Sequence, residues 1–242
     1  MSDVLRLYYW PSLPGRGEYV RLVLEHLGLP YVDVARLAPS DAGGVAAVVE
    51  ARRGALGGVP AFAPPYLQHG ALVLAQMPSI CAWLSERHDL APPGPDGRAL
   101  ALQLMLSVAD VVDEVHQTHH PIAVSLHFEE QQEAALRAGR LFARERIPIW
   151  LAYFERVVEA SGGPWLLGAR PSYPDLGLFQ TVEGLRHAFP RTTARVVERT
   201  PRVLELVEAV RELDRVGEYL ASERRLGFGQ AGIFRRYAGM EE

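Results

Sequence analysis

Residues 4–35 read VLRLYYWPSLPGRGEYVRLVLEHLGLPYVDVA, and this stretch determines the architecture of the first part of the chain. Residues 4–9 are apolar or aromatic apart from one arginine, which predicts a buried strand. Residues 17–27 have apolar positions at helical spacing and are followed by Gly28, a residue that commonly ends a helix. Residues 31–35 predict a second strand, so the two strands and their helix form a βαβ unit with a parallel strand pair.

The sequence after this unit continues the pattern of a small α/β domain. It predicts a helix over 40–53, a Gly/Pro-rich loop, short strands at 66–67 and 72–74 around a turn, and a helix over 78–88. The resulting order, βαβα-ββα, is that of a thioredoxin-like fold. Such folds often carry a redox Cys-x-x-Cys at the first helix, but the single cysteine of this chain is Cys81. We therefore predict a domain that binds a thiol rather than one that exchanges disulfides.

A proline-rich segment separates this region from a helical remainder. Ala91-Pro92-Pro93-Gly94-Pro95 is typical of a linker. We therefore predict a first domain over 1–89, a linker over 90–96 and a second domain over 97–242. The second domain has helical patterns over 99–115, 129–160, 174–188 and 201–211 and no strand pattern. The expected fold is an α/β N-terminal thioredoxin-like domain followed by an all-α C-terminal domain.

Composition excludes several classes of function. The chain has 242 residues and a net charge of −4, so neither a nucleic acid nor a membrane surface is an expected partner. All 25 basic residues are arginine, which excludes Schiff-base lysines, pyridoxal enzymes and the P-loop lysine. No apolar run approaches the ~20 residues of a membrane span, and residues 1–4 do not begin a signal peptide. With one cysteine, these features predict a cytoplasmic protein.

Three stretches near the N-terminus resemble the opening of the mu, pi and sigma classes of cytosolic glutathione S-transferase. They are Leu5-Arg6-Leu7-Tyr8-Tyr9-Trp10, Gly15-Arg16-Gly17-Glu18 and Val20-Arg21-Leu22-Val23-Leu24. The resemblance implies that Tyr9 donates its hydroxyl to the glutathione sulfur and that Trp10 adjoins the same site. A hydrogen bond to the sulfur and a helix N-terminus near Gly15 would both favour the thiolate. This chain has about one extra residue between Tyr9 and the turn, so Tyr8 remains an alternative and is otherwise assigned to the substrate pocket.

A second match runs from Pro65 to Gln76. In the family, a cis-proline opens the third strand and a Gln-Ser pair eleven residues later binds the γ-glutamyl end of glutathione. Two departures stand out, because Pro64 has no N–H and Met77 replaces the serine. Pro60 is therefore kept as an alternative position of the cis bond. The resemblance implies that the ligand contacts Pro64, Pro65, Gln76 and Met77, with backbone amides of the following helix on its carboxylate.

The glycyl carboxylate of glutathione needs a cation, which in this chain must be arginine. We expect Arg53, with Arg52 as its alternative, or Arg16 to supply it.

The helical region carries a third match. Residues 168–176 resemble the stretch before a helix of the family's second domain, and Ser172 with Asp175 forms an S-x-x-D capping box of structural importance. The resemblance also implies that His116 and His120 are polar groups of the pocket for the electrophilic substrate. They share a helix face with Asp113.

Two further interpretations concern this histidine region. A zinc site is the alternative for the histidines, but we expect no metal. Asp113 or Glu114 matches an acidic residue that in some classes reaches glutathione in the neighbouring subunit, which favours a homodimer.

The predicted function is that of a glutathione transferase involved in detoxification. The protein would activate glutathione, its co-substrate, for attack on a small hydrophobic electrophile. The chain looks nearest to the mu, pi and sigma classes, and its departures are also consistent with a separate bacterial group. The alternatives are a catalytically weak carrier of hydrophobic ligands, and a glutathione-dependent peroxidase or isomerase on the same scaffold.

Overall fold

The computed structural model describes residues 4–241, which group into two compact units. The first unit contains residues 4–90 together with Leu213–Gly227, and the second contains Ala91–Glu212 together with residues 228–241. Residues 1–3, on which the expectation of no signal peptide depends, and the last residue of the predicted second domain lie outside the described residues. The grouping differs from the predicted division because Leu213–Gly227 belongs to the first unit, a long-range association that no local pattern indicates.

The strands and helices of residues 4–88 occur in the predicted order with differences in length, whereas the helical remainder contains more helices than the sequence predicts. The strands are β1 (Leu5–Tyr8), β2 (Tyr31–Asp33), β3 (Tyr66–His69) and β4 (Leu72–Ala75). The helices are α1 (Gly17–Leu27), α2 (Gly44–Arg52), α3 (Met77–His88), α4 (Gly94–His119), α5 (Gln132–Leu141), α6 (Ile147–Ser161), α7 (Tyr173–Ala188), α8 (Pro190–Val197), α9 (Pro201–Arg211) and α10 (Asp214–Leu220). Short 3-10 turns occur at Val34–Arg36, Pro39–Asp41 and Phe128–Glu130.

The first unit contains a four-stranded mixed sheet in the order β2-β1-β3-β4. β1 pairs in parallel with β2, whereas β3 pairs antiparallel with both β1 and β4. α1 packs against α3 and α10, and its apolar residues Val20, Leu22, Val23 and Leu24 are fully buried. The predicted thioredoxin-like order βαβα-ββα is therefore confirmed, with α10 as an additional helix beside α1.

Two differences from the predicted elements occur at prolines. α4 begins at Gly94, so the predicted linker over 90–96 is shortened. Pro95 occupies the first turn of this helix, where its missing N–H costs little. The predicted helix over 129–160 is interrupted by the π-helical segment Phe142–Arg146 between α5 and α6. Pro148 lies two residues after this segment and has no N–H to donate in a regular helical hydrogen bond, which accounts for the irregular turn.

The second unit is organised around α7. This helix is buried along nearly its whole length and packs against α4, α8 and α9. It begins at the predicted capping box: the backbone N–H and the hydroxyl of Ser172 both bond to Oδ2 of Asp175, at 2.7 and 2.5 Å. Oδ1 of Asp175 accepts the N–H of Leu166 at 2.8 Å. One fully buried carboxyl group therefore fixes both the helix start and the loop before it.

The C-terminal segment over 228–241 completes the second unit. Phe234 and Met240 are buried against Gly184 and Gly139, where no side chain would fit. Tyr237 stacks on Phe128, with ring centroids 3.7 Å apart.

Within residues 4–241, no helix has both the length and the apolar character needed to cross a membrane.

Candidate functional site

Three segments of the first unit meet at one end of its sheet. β1 ends at Tyr8, which pairs with Tyr66 at the beginning of β3, and Tyr66 pairs in turn with Ala75 at the end of β4. The residues next to these three, just outside the sheet, are Tyr9, Pro65 and Gln76. The pairing register thus brings together the three residues that the sequence predicted for the sulfur, the backbone and the γ-glutamyl end of the ligand. The turn before α1 and the first residues of α3 extend from this end.

Tyr9 packs on the turn that starts α1. Its hydroxyl oxygen accepts the backbone N–H of Arg16 at 2.9 Å. The ring lies so close to the turn that a Cβ at Gly15 would be 2.1 Å from the hydroxyl oxygen, and one at Gly17 would be 2.4 Å from Cδ1 of the ring. The two glycines therefore provide the space in which the tyrosine is held. The side chain is only 5% exposed, so its position is well defined.

The environment of Tyr9 keeps its phenol protonated. Burial raises the pKa of Tyr9 above its ordinary value of 10, and the backbone and charge of Arg16, the charge of Arg21 and the N–H of Gly17 only partly offset this. The guanidinium carbon of Arg21 lies 5.9 Å from the centre of the tyrosine ring. Within residues 4–241 the Tyr9 hydroxyl accepts a hydrogen bond while its own proton has no acceptor. A neutral phenol of this kind can donate to an anion such as a thiolate.

Tyr8 lies in a different environment. Its hydroxyl donates to Oε1 of Gln68 on the neighbouring strand at 3.0 Å, and its ring packs in a core cluster with Val34, Val48 and Tyr66. Its donor is therefore already used within the first unit. Of the two adjacent tyrosines, Tyr9 is the one whose proton is available to a ligand.

The cis peptide bond lies between Pro64 and Pro65, rather than at the alternative Pro60. Pro65 is buried and leads directly into β3, whereas Pro64 is half-buried. Because neither proline has an N–H, only carbonyl oxygens of this pair can bond to a ligand amide.

The start of α3 has the geometry of an anion site. Gln76 precedes the helix with a φ of 68°, a left-handed conformation that is costly for a residue other than glycine. The Gln76 and Ser79 side chains are exposed, whereas that of Met77 is buried. Met77 can therefore contribute its backbone N–H but not its side chain. The free N–H groups of a first helical turn favour a carboxylate.

The candidate arginines differ in their partners. Arg53 forms an exposed ion pair with Glu50 at 2.6 Å. Arg52 lies near β3, where its positive charge partly offsets the rise in the pKa of Tyr66 that burial causes. Arg16 is half-buried beside Tyr9, and its backbone N–H donates a hydrogen bond to the phenol oxygen. The side chains of Arg16 and Arg52 are thus near the residues at this end of the sheet, whereas Arg53 pairs with Glu50.

The histidines at the end of α4 form a ring cluster within the second unit. His116 and His120 are half-buried, with ring centroids 5.3 Å apart. Nδ1 of His120 lies 3.2 Å from the carbonyl oxygen of Leu126. Among the described residues, no three histidine, cysteine or acidic side chains are grouped as metal ligands.

The sequence did not predict the role of His119. This residue is fully buried, and its Nε2 bonds to the carbonyl oxygen of Ile233 at 2.6 Å. Burial lowers the pKa of His119 to about 3, so the ring is neutral. Its hydrogen bond to Ile233 holds the C-terminal segment against α4.

Glu114, one of the two acidic candidates, makes a two-point ion pair with Arg146 at 2.8 Å. Its carboxylate is therefore already occupied within the second unit.

A thioredoxin-like unit with a helical unit following it in sequence defines a class of two-domain proteins. Residues 116–223 match the family model described as the glutathione S-transferase C-terminal domain. A curated glutathione S-transferase of Plasmodium yoelii yoelii is 21% identical over 210 residues, which cover 87% of this chain and 90% of that protein. The chain is therefore similar to glutathione S-transferases, over the C-terminal domain in the family model and over most of its length in the curated relative.

Solved structures agree on the fold. The Pi-class glutathione S-transferase of Onchocerca volvulus superposes with a TM-score of 0.67 at 18% identity. The match includes 90% of this chain and 92% of the Onchocerca volvulus chain. Prostaglandin synthase D of Nilaparvata lugens superposes with a TM-score of 0.72 at 14% identity. The match includes 93% of this chain and 100% of the Nilaparvata lugens chain. At such identities the likeness concerns the fold alone.

Proposed function

We propose that the protein is a glutathione transferase that activates the thiol of glutathione for attack on a small hydrophobic electrophile. The observation that carries this proposal is the Tyr9 hydroxyl, which accepts an N–H from the turn before α1 and keeps its proton for a ligand. A free thiol has a pKa near ~8.5, so only a small fraction is ionised at neutral pH. A hydrogen bond from Tyr9 and the positive end of α1 would stabilise the thiolate.

The same end of the sheet offers groups for the rest of the peptide. The γ-glutamyl carboxylate would bind the free N–H groups at the start of α3, beside Gln76 and Ser79. The cysteinyl amide would donate to a carbonyl oxygen of the Pro64–Pro65 pair, as an added strand does. The glycyl carboxylate would pair with Arg16 or Arg52, and Arg53 would have to leave Glu50 to take part. Trp10 adjoins this site, and His116 and His120 remain our candidates for the electrophile.

The reaction itself needs no covalent enzyme intermediate. The thiolate sulfur forms a bond to an electrophilic carbon and the leaving group departs with the bonding electrons. The protein contributes proximity and a more acidic thiol. Glutathione serves as co-substrate. We assign the reaction to the cytoplasm, where thiols are kept reduced.

We also propose that the protein is a homodimer. Val59 and Phe62, in the loop between α2 and β3, are 81% and 86% exposed. Leu100, Leu102 and Leu106 are exposed along the first half of α4. Large exposed apolar side chains such as these commonly mark protein contacts on the unit that carries them, and a second copy of this chain would cover them.

The direct test is binding and turnover by the unmodified protein. We expect calorimetry to detect glutathione binding at millimolar ligand, and the ultraviolet absorbance of the thiolate to appear at a lower pH than for free glutathione. Chlorodinitrobenzene should be conjugated in the same conditions. Absence of glutathione binding would instead favour the carrier interpretation, because Pro64 and Met77 both remove groups that the family uses.

Gly17→Ala tests the close packing of Tyr9. Alanine normally favours a helix over glycine, but here its Cβ would be 2.4 Å from the Tyr9 ring. The ring must therefore shift, and we expect kcat/KM for conjugation to fall by about tenfold or more. Gly229→Ala is the matched control, because no atom lies within 4 Å of the added Cβ. Equal activity of the two variants would show that the position of Tyr9 does not matter.

A further inference from the structure

A cluster of buried charges lies beneath the turn that holds Tyr9. Glu18 and Arg21 are both fully buried in the first two turns of α1. Nε of Arg21 donates to Oδ2 of Asp33 at 2.7 Å, and its Nη1 donates to Oε2 of Glu18 at 3.3 Å. Burying such groups is costly unless each charge is compensated. Apolar side chains would be less costly to bury at these positions of α1. We therefore look for a specific role of the charged side chains.

The remaining hydrogen-bond partners of Glu18 come from residues 213–227, the second segment of the first unit. The Tyr219 hydroxyl on α10 donates to Oε1 of Glu18 at 2.6 Å, and Nη1 of Arg225 donates to the same oxygen. The cluster then contains two carboxylates, Glu18 and Asp33, and two guanidinium groups, so its formal charge is balanced. Burial and the nearby Glu18 raise the pKa of Tyr219, which therefore remains a neutral donor.

This cluster contacts the surroundings of Tyr9 in two ways. The backbone N–H of Glu18 bonds to the carbonyl oxygen of Pro14 at 2.9 Å, which closes the turn whose Arg16 N–H bonds to the phenol. Arg21 lies 5.9 Å from the centre of the Tyr9 ring and opposes the rise in its pKa. A shift of Glu18 would therefore change both the donor geometry and the positive potential at Tyr9.

We propose that Tyr219 and Arg225 are positioning residues for thiol activation, because they hold Glu18 and thereby fix the turn and the cation beside Tyr9. This inference rests on the proposed function. In this arrangement α10 is part of the activating apparatus, although neither residue touches the ligand. The groups that face the cluster or Tyr9 are Arg16, Glu18, Arg21, Tyr31, Asp33, Tyr219 and Arg225.

The same helix contains a natural control. Two turns further along α1, the Tyr31 hydroxyl donates to Oε1 of Glu25 at 3.0 Å, and Arg224 pairs with that carboxylate at 2.9 Å. This group has the same composition as the Tyr219, Glu18 and Arg225 group but lies on the last turns of α1, away from Tyr9. Loss of one hydrogen bond there changes stability without changing the Tyr9 turn.

The experiment compares Tyr219→Phe with Tyr31→Phe in the full chain. For Tyr219→Phe we expect the apparent pKa of the bound glutathione thiol, read from thiolate absorbance, to rise by about one, a tenfold fall in thiolate at neutral pH. The pH profile of kcat/KM should move to higher pH by the same amount. Arg225→Gln should move both in the same direction, because Glu18 then keeps Arg21 but loses the second of its two cations. Tyr31→Phe exchanges one neutral side chain for another and removes a bond to Glu25 rather than to Glu18, so it should leave both unchanged.

A double-mutant cycle with Tyr9→Phe separates positioning from general loosening. If Tyr219 acts through Tyr9, adding Tyr219→Phe to Tyr9→Phe should change the thiol pKa little further. Circular dichroism and melting of each variant verify that the fold is retained. An unchanged thiol pKa in folded Tyr219→Phe and Arg225→Gln, or an equal shift in the Tyr31→Phe control, would overturn the inference. A wild-type protein that does not acidify glutathione would instead overturn the proposed function.

Discussion

Replacement of Tyr9 by phenylalanine is expected to lower kcat/KM for glutathione conjugation by about 10²-fold. The substitution keeps the ring that fills the space above Gly15 and Gly17 and removes only the hydroxyl. Binding of glutathione should be retained, because the proposed peptide contacts come from β3 and α3. The measurement is conjugation kinetics together with thiolate absorbance of the bound ligand as a function of pH.

Tyr8→Phe is the matched control for this experiment. It removes a hydroxyl from the adjacent residue, whose bond at 3.0 Å is made to Gln68 within the sheet. We expect a modest loss of stability, about 1 kcal/mol, and nearly normal thiol acidity. If Tyr8→Phe abolished turnover and Tyr9→Phe did not, the assignment of the two tyrosines would have to be reversed.

Asp175→Asn is expected to have the largest effect on stability. The carboxylate accepts hydrogen bonds from Leu166 N, Ser172 N and the Ser172 hydroxyl. An amide would turn its NH2 group toward one of these donors and leave it unpaired in the interior. We expect the free energy of unfolding to fall by about 3 kcal/mol, measured by urea denaturation. Ser172→Ala removes only the hydroxyl and should cost about 1 kcal/mol.

The same carboxyl group gives stability a defined pH dependence. Burial raises the pKa of Asp175 from its ordinary 3.8 to about 6, and the bonds from Ser172 and Leu166 only partly oppose this. The folded chain therefore holds this proton more tightly than the unfolded chain. The stabilisation is fully present below about pH 4 and is lost as the pH rises through 6, a difference of roughly 3 kcal/mol. A wild type and an Asp175→Asn variant with the same slope between pH 4 and 6 would contradict this.

The sequence predicted the bounds of a helix correctly where the apolar spacing and the residues typical of helix ends agreed. The bounds of α1 and α9 match the predicted 17–27 and 201–211, because apolar spacing, Gly28 and Pro201 all mark the same ends. Other prolines did not distinguish a helix start from a linker. Pro95 fits both in the sequence, and it lies in the first turn of α4.

The site was predictable in part. Pro65 and Gln76 follow from spacing, and the pairing register brings them to the same end of the sheet as Tyr9. The preference for Tyr9 over Tyr8 came from the family resemblance, and Tyr8 stayed an alternative because the turn that follows has about one extra residue. The bond from Tyr219 to Glu18 spans 201 residues and has no local signal. The one hint was the pair of charges, Glu18 and Arg21, within an apolar helix.

The membership of residues 213–227 in the first unit has a consequence for the way the chain is synthesised. Residues 4–90, which contain Glu18 and Arg21, are translated before residues 213–227, at roughly 5–20 residues per second. The hydroxyl and the guanidinium that bond to Glu18 arrive only after residues 91–212 of the second unit have been translated. Until then the nascent first unit contains a carboxylate whose partners are missing, so we expect its fold to be completed only when residues 213–227 have been translated.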